Sequence, residues 1–213
     1  MKTDELIHIY KSIKSDIENQ LVNFRRIWNH GTDEELFIEL AFCILTPQSK
    51  ARSGWQAICN LKKNDLIFTG NFSKINRELN IVRFKNKKTE FLINARDKFY
   101  KNINGSLREK LDAFPSIYEK RDWLVREVKG YGFKEASHFL RNIGLGDEIA
   151  ILDRHILKNL KLFNVIEEIP KSITRKNYFD IENKLKAFAG DIRIPADHLD
   201  FVLRYKEAGE VFK

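Results

Sequence analysis

The sequence predicts an all-α protein built from two helical lobes. Apolar residues recur at helical spacing in several segments. Only four prolines and ten glycines occur in 213 residues, and most of them stand where a periodic segment ends. No internal repeat, low-complexity tract or Gly/Ser linker divides the chain, so we expect residues 1–213 to form a single unit of two intimate lobes.

The first half of the chain predicts three helices. Residues 33–46 are almost continuously apolar, which indicates a buried central helix. Thr46 and Pro47 end it, and Ser49 is placed to cap the next helix, which carries Ala51, Trp55, Ile58 and Cys59. A third helix is expected over 87–101. Residues 80–84 fit either a short extended segment or a loop.

The second half has clearer boundaries. Ser116 and Glu119 form a capping-box pattern, and Gly130, Gly144 and Gly190 follow the ends of helical segments. Asp153 is placed to cap a helix, and Pro195 to open the last one. The helices expected here start at Ser116, run over about 133–143, start at Asp153, and run over about 174–189 and 195–208.

Charge and cysteine content limit the classes of function. Lys and Arg total 38 against 30 acidic residues, a formal charge of +8, which attracts polyanions but equally fits a basic enzyme without a nucleic-acid partner. Cys43 and Cys59 stand among apolar residues, and two cysteines are too few for an iron–sulfur cluster or a Cys-type zinc site. The start lacks a signal-peptide core, and the apolar run 36–45 is too short to span a bilayer. We therefore expect a cytoplasmic protein without a membrane partner.

A short turn, Gly130-Tyr131-Gly132, separates two predicted helices. Glycine tolerates positive φ and leaves room for a close phosphate, and the following helix N-terminus favours an anion. Tyr131 is expected to point toward the core. Residues 117–143 thus resemble a helix-hairpin-helix motif, which binds the DNA backbone, with Gly130, Gly132 and Lys129 as DNA-binding candidates. A purely structural turn is the alternative.

Lys134 and Asp153 are the candidate catalytic residues. Electrostatics disfavours a lysine in the first turn of a helix, so the position of Lys134 points to a function. Its amine is a nucleophile when uncharged. Asp153 follows the apolar run 149–152, and capping would orient its carboxylate, although capping alone would explain it. His155 could meet a phosphate from the same turn, or be an ordinary surface or packing residue.

The segments GYGFKEA and ILDRH resemble the helix-hairpin-helix DNA glycosylase superfamily, whose members with a lysine at this place are glycosylase/AP lyases. LAFCILTPQSKA, VRFKNKK and KGYGFKEASHFLRNIG resemble more narrowly the type 2 family of prokaryotic 8-oxoguanine DNA glycosylases. The resemblance extends over about 36–213, and the first thirty residues are compatible. It differs from the superfamily in the loop before Asp153, which contains no proline, and from the endonuclease III branch in lacking its cluster cysteines.

This resemblance implies the chemistry and the partner. Lys134 matches the Schiff-base lysine, Asp153 the essential aspartate, and His155 the histidine of the Asp-x-His pattern. The partner is double-stranded DNA containing 8-oxoguanine, whose flipped nucleotide would occupy an active-site cleft between the lobes. Lys134 would attack C1′ and β-elimination would cut the strand, while Asp153 would stabilise positive charge on the sugar or assist proton transfer. No metal or organic cofactor is expected, and a monomer is the default.

The resemblance also suggests residues that contact the lesion. Gln48 would fill the gap left by the flipped base, or simply stand in a solvated turn. Phe84 would stack on the flipped purine, or pack in the core. Lys213 would help to recognise 8-oxoguanine through a terminal carboxylate, so its deletion should weaken discrimination against guanine. A basic cluster around Phe84 either contacts phosphates or is a solvated face: Arg83, Lys85, Lys87 and Lys88.

Three alternatives stay open at this point. One is a glycosylase of the same superfamily for another lesion, such as an oxidised pyrimidine or an alkylated purine. The second is a non-catalytic helix-hairpin-helix module in which Lys134 only contacts phosphate. The third is a helical scaffold unrelated to DNA, which predicts no binding at any salt concentration.

Overall fold

The computed structural model describes residues 2–100 and 105–213. Within these residues the chain forms twelve α-helices and one short 3₁₀ helix, and no strand. The all-α prediction is therefore confirmed. Residue 101, at the predicted end of the third helix, lies outside the described residues.

The helices are numbered in chain order. They are α1 (Lys2–His30), α2 (Asp33–Leu45), α3 (Ala51–Lys63), α4 (Leu66–Thr69), α5 (Phe72–Glu78), α6 (Lys85–Phe99), α7 (Leu107–Asp112), α8 (Ile117–Glu127), α9 (Phe133–Asn142), α10 (Arg154–Leu162), α11 (Arg175–Asp191) and α12 (Ala196–Ala208). The 3₁₀ helix, Leu79–Ile81, comes between α5 and α6.

The chain divides into two compact units, in agreement with the two predicted lobes. The first comprises Met1–Arg26 and Leu140–Lys213, and the second comprises Ile27–Phe139. In the second unit α2 is central, because every residue from Leu36 to Leu45 is buried and the helix packs against α3, α6 and α7. The capping box of Thr32 and Glu35 fixes where α2 begins.

The core of the first unit is built on α12. This helix packs against α10 and α11, and Phe201 on its buried face stacks on Phe24 with ring centroids 6.4 Å apart. Leu199, Val202 and Leu203 are completely buried. This packing fixes the orientation of α12. It therefore also fixes the positions of the side chains that α12 contributes to the candidate active site.

Several local predictions were wrong. Ser49 does not cap α3, whose N-cap residue is Lys50 and has no side-chain cap. Cys59 is exposed, because the buried face of α3 is formed by Gly54, Ala57, Ile58 and Leu61. Helix α11 continues through Gly190 to Asp191.

Candidate active site

The turn between α8 and α9 is a tight, well-anchored hairpin. Tyr131 N donates to Val128 O at 3.1 Å, and Gly130 has φ +88°. The ring of Tyr131 is buried, and its hydroxyl donates to Leu40 O at 2.8 Å. The prediction that Tyr131 points toward the core is confirmed, and the contact ties the hairpin to α2.

The hairpin exposes a basic residue and a glycine, but one of its amides is already bonded. Lys129 and Gly130 are exposed. Gly132 N donates to Oε2 of Glu135 at 3.1 Å. This amide was expected to be free for a phosphate, but a carboxylate of the protein already binds it. A phosphate can bind this amide only if it displaces the Glu135 carboxylate.

Lys134 lies in the first turn of α9, beside the hairpin. Its Nζ donates to the hydroxyl of Thr46 at 3.3 Å and lies 3.6 Å from Oε1 of Glu135. Thr46 in turn donates to Cys43 O at 3.0 Å, at the end of α2. The Lys134 side chain is 21% exposed, so its amine is held in place by Thr46 and Glu135 while the side chain stays partly accessible.

The side chain of a second lysine, Lys88 of α6, reaches the same segment at the end of α2. It is only 3% exposed, and its Nζ donates to Leu45 O at 2.7 Å, Pro47 O at 2.8 Å and Ser49 Oγ at 3.0 Å. Burial lowers the pKa of Lys88 to about 8, and the positive charge of Lys134 acts in the same direction. Lys88 is thus a structural cation near Lys134 and not a solvated member of a basic face.

Gln48 is exposed at the tip of the segment that these lysines bind. Its φ of 53° is in the left-handed region, where a non-glycine residue is strained. Ser49, next to it, accepts hydrogen bonds from Arg83 N at 2.9 Å and from Lys88. Gln48 is therefore exposed on a turn that is held by the hydrogen bonds of Arg83 and Lys88 to Ser49.

Phe84 is an exposed aromatic residue at the start of α6. Its side chain is 53% exposed and its φ is 58°, so the alternative of core packing is wrong. The Arg83 guanidinium lies 5.5 Å from the ring centroid, and Lys87 is exposed one turn away. An exposed aromatic ring flanked by cations has the properties of a base-stacking platform.

Asp153 caps α10, as the sequence predicts. Its Oδ1 accepts from His155 N and Ile156 N, both at 2.9 Å, and its Oδ2 lies 3.0 Å from Nη1 of Arg204. The side chain is 16% exposed. Two buried residues of α11 fix the preceding apolar run: Glu182 Oε1 accepts from Ala150 N at 2.7 Å, and the Tyr178 hydroxyl bonds Leu152 N and Ala150 O.

His155 and Lys213 are more open than Asp153. His155 is exposed in the first turn of α10, and its Nδ1 lies 3.8 Å from Glu207 Oε2. Lys213 is half-buried and follows the left-handed Gly209 that ends α12. The structure thus places Asp153, His155 and Lys213 in one unit, and Lys134, Gln48, Phe84 and the hairpin in the other.

Among residues 2–100 and 105–213, no group of three or more His, Cys, Asp or Glu side chains is arranged to hold a metal ion. In the same part of the chain, each helix is too short or too polar to cross a bilayer.

Comparison with known proteins identifies the family. The family model described as 8-oxoguanine DNA glycosylase matches residues 17–194. The chain belongs to this family. A relative from Fusobacterium nucleatum, an 8-oxoguanine DNA glycosylase/AP lyase, is 48% identical over 210 residues, which cover 99% of this chain and 97% of the relative.

Solved structures of the 8-oxoguanine DNA glycosylase family have the same fold. The Methanocaldococcus jannaschii glycosylase/lyase, solved in complex with a 15mer DNA containing 8-oxoguanine, superposes with a TM-score of 0.89 at 34% identity and full coverage of both chains. The Thermotoga maritima 8-oxoguanine DNA glycosylase gives a TM-score of 0.88 at 33% identity, covering 99% of this chain and 98% of that one.

Three features of the site were not predicted from the sequence. They are the burial of Lys88, the ion pair of Arg204 with Asp153, and the contact of Glu135 with the Gly132 amide. Glu135 had a detectable signal, because an acid three residues after a helix-start position is the capping pattern. Arg204 stands four residues after Asp200, which signals a helical ion pair but not the link to Asp153. Nothing local predicted Lys88, since its partners are about 40 residues away in sequence.

Proposed function

We propose that this protein is a DNA repair enzyme that excises 8-oxoguanine from double-stranded DNA and cuts the strand at the resulting site. The observation that carries the proposal is the position of Lys134, a nucleophile held beside a phosphate-binding type of hairpin on a side chain that stays partly accessible. Membership of the 8-oxoguanine DNA glycosylase family supports the substrate, as does the likeness to a relative solved with DNA containing 8-oxoguanine.

In the proposed reaction, the uncharged Lys134 amine bonds to C1′ of the flipped nucleotide. The N-glycosidic bond breaks, and the base leaves with the bonding electrons and takes up a proton. The amine loses its protons as the sugar ring opens, which gives an imine. Removal of a C2′ proton then breaks the C3′–O bond, so the strand is cut 3′ to the lesion. Asp153 stabilises positive charge on the sugar.

The other candidate residues have binding roles in this proposal. Lys129, Gly130 and Gly132 bind the backbone at the hairpin, and His155 meets a second phosphate from the first turn of α10. Three residues contact the bases: Gln48 occupies the gap in the duplex, Phe84 stacks on the extruded purine, and Lys213 assists its recognition. The protein works as a monomer, and its DNA substrate implies a cytoplasmic location.

Borohydride trapping tests the proposal. Reduction of the imine should link the protein covalently to a duplex containing 8-oxoguanine, and Lys134→Gln should abolish the adduct while DNA binding stays measurable. Lys129→Gln is the matched control, because this lysine is exposed in the same hairpin. It should weaken binding yet keep the adduct at saturating protein. An adduct formed by Lys134→Gln would show that another amine is the nucleophile.

The same assay separates the alternative functions. A panel of duplexes with oxidised pyrimidines or alkylated purines tests whether another lesion is preferred. A protein that binds DNA with a normal salt dependence, but traps no lesion, would be a binding module and not an enzyme.

A further inference from the structure

Both carboxylate oxygens of Asp153 are engaged by donors. Oδ1 accepts from the backbone N–H groups of His155 and Ile156 at 2.9 Å each. Oδ2 faces Nη1 of Arg204 at 3.0 Å. These donors come from two different helices, α10 and α12, so the plane of the carboxylate is fixed on both sides.

Arg204 is itself anchored. Its Nε donates to both oxygens of Asp200, one turn earlier on α12, at 3.1 Å each. Asp200 also lies 3.8 Å from Nη2 of Arg141, whose guanidinium packs 4.6 Å from the ring centroid of Phe201. The Arg204 guanidinium therefore has little freedom to leave Asp153.

The charges in this network balance. Two carboxylates, Asp153 and Asp200, alternate with two guanidiniums, Arg204 and Arg141. Burial alone would lower the pKa of Arg204, but Asp200 and Asp153 together raise it above its ordinary value. Arg204 consequently remains a cation at every pH at which the protein is folded.

We propose that Arg204 is a positioning residue that keeps Asp153 ionised and in one orientation, so that Asp153 acts on the sugar as a fixed negative charge and not as a proton carrier. The inference rests on the proposed function, in which Asp153 serves the glycosylase reaction. The reason is that a proton on Oδ2 would displace Arg204, and a proton on Oδ1 would displace two N–H donors. Protonation therefore costs contacts at either oxygen.

The pH dependence of single-turnover excision tests the inference. Wild-type protein and Arg204→Met would be compared on an 8-oxoguanine duplex from about pH 5 to pH 9. Without Arg204, the acid limb of the profile should move up by at least about one pH unit. Arg204→Lys, which keeps the charge, should restore part of the shift. An acid limb unchanged in Arg204→Met would overturn the inference.

Lys206→Met is the matched control, because Lys206 is another cation of α12 and its Nζ pairs with Glu5 at 2.5 Å. It removes one positive charge from the same helix but leaves Arg204, Asp200 and Asp153 in place, so the acid limb should not move up. A merely structural role for Arg204 predicts that Arg204→Met loses stability without moving the limb.

Other titratable groups face this part of the unit and need separate tests. His155 and Glu207 form a 3.8 Å pair between α10 and α12, and Arg154 stands next to Asp153 in sequence. If the acid limb belonged to His155, then His155→Asn would remove it, and Arg204→Met would leave it in place. That outcome would also overturn the inference.

Two outcomes remain to be distinguished. If wild-type protein traps no 8-oxoguanine duplex at any pH, the proposed function fails, whatever Arg204 does. If Arg204→Met does not fold, Arg204→Gln, which removes the charge but keeps a hydrogen-bond donor, provides the second measurement. Its acid limb should also move up, and an unchanged limb would contradict the inference.

Discussion

Lys88 and Lys134 bind neighbouring residues of one short segment at the end of α2. Lys88 Nζ donates to the carbonyls of Leu45 and Pro47, and Lys134 Nζ donates to the hydroxyl of Thr46. The carbonyl end of a helix carries partial negative charge, which favours a cation at this position, whereas burial and the charge of Lys134 lower the pKa of Lys88. The same segment carries the exposed Gln48. The proposed nucleophile therefore contacts the segment to which the proposed gap-filling residue belongs.

The lowered pKa of Lys88 predicts how stability changes with pH. The pKa is about 8 in the folded protein, against 10.5 for an ordinary lysine. Between these values the unfolded chain binds more protons, so the stability associated with Lys88 rises as pH rises. The difference in unfolding free energy between wild type and Lys88→Met should therefore increase between about pH 7.5 and 10, by at most roughly 3 kcal/mol.

Denaturant unfolding at several pH values measures this difference. Lys87→Met controls for the lost charge, because Lys87 is exposed on the same helix. A wild-type minus Lys88→Met difference that stays constant over this range, or falls, would mean that Lys88 is not held as the structure indicates.

Much of the scaffold was predictable because its signals are local. The apolar run of α2, the Ser116 capping box and the Asp153 cap each depend on residues within one turn. Helix α1, which was not predicted, also has a local signal, since Leu6, Ile13, Ile17, Leu21 and Phe24 are buried at helical spacing. Short helices such as α4 and α7 have too few turns to show a period.

The environment of the candidate site was harder to predict, because it depends on contacts distant in sequence. Lys88 meets Leu45 across 43 residues, and Arg204 meets Asp153 across 51. The left-handed conformations of Gln48 and Phe84 were equally hidden, since neither residue type favours that region. The sequence predicts Lys134 and Asp153 as the reacting groups, and the structure shows which contacts hold these two side chains.

Gln48 should be needed for excision from a paired duplex but not for folding. Gln48→Gly removes the side chain and relieves the positive φ, so the variant should be at least as stable as wild type. Excision of 8-oxoguanine from a duplex should slow by about tenfold or more, whereas excision from single-stranded DNA should change little, because no gap forms there.

Melting temperatures and single-turnover rates on both substrates measure this effect. Gln56→Ala is a suitable control, since Gln56 is exposed on α3. An equal loss of activity on single-stranded and duplex DNA would exclude the gap-filling role.

Phe84 should contribute to substrate binding and little to stability. The ring is 53% exposed, so Phe84→Ala should change the unfolding free energy by less than about 0.5 kcal/mol. Loss of a base–aromatic stack should weaken the transition-state complex by about 1–3 kcal/mol, and Phe84→Trp should retain most of the rate. Phe72→Ala, which removes another exposed phenylalanine of this unit, should leave kcat/KM unchanged. Equal effects of the two alanine variants would argue against stacking.

The two hairpin glycines should respond differently to alanine. Gly130 has φ +88°, and an added Cβ would lie 2.5 Å from the ring of Phe91, so Gly130→Ala should cost about 1–3 kcal/mol of stability. An added Cβ at Gly132 meets only the Glu135 carboxylate, at 3.3 Å, so Gly132→Ala should fold normally. It should still weaken DNA binding, measured by anisotropy in a Lys134→Gln background, because the methyl group obstructs a phosphate. Unchanged affinity in Gly132→Ala would place the backbone contact elsewhere.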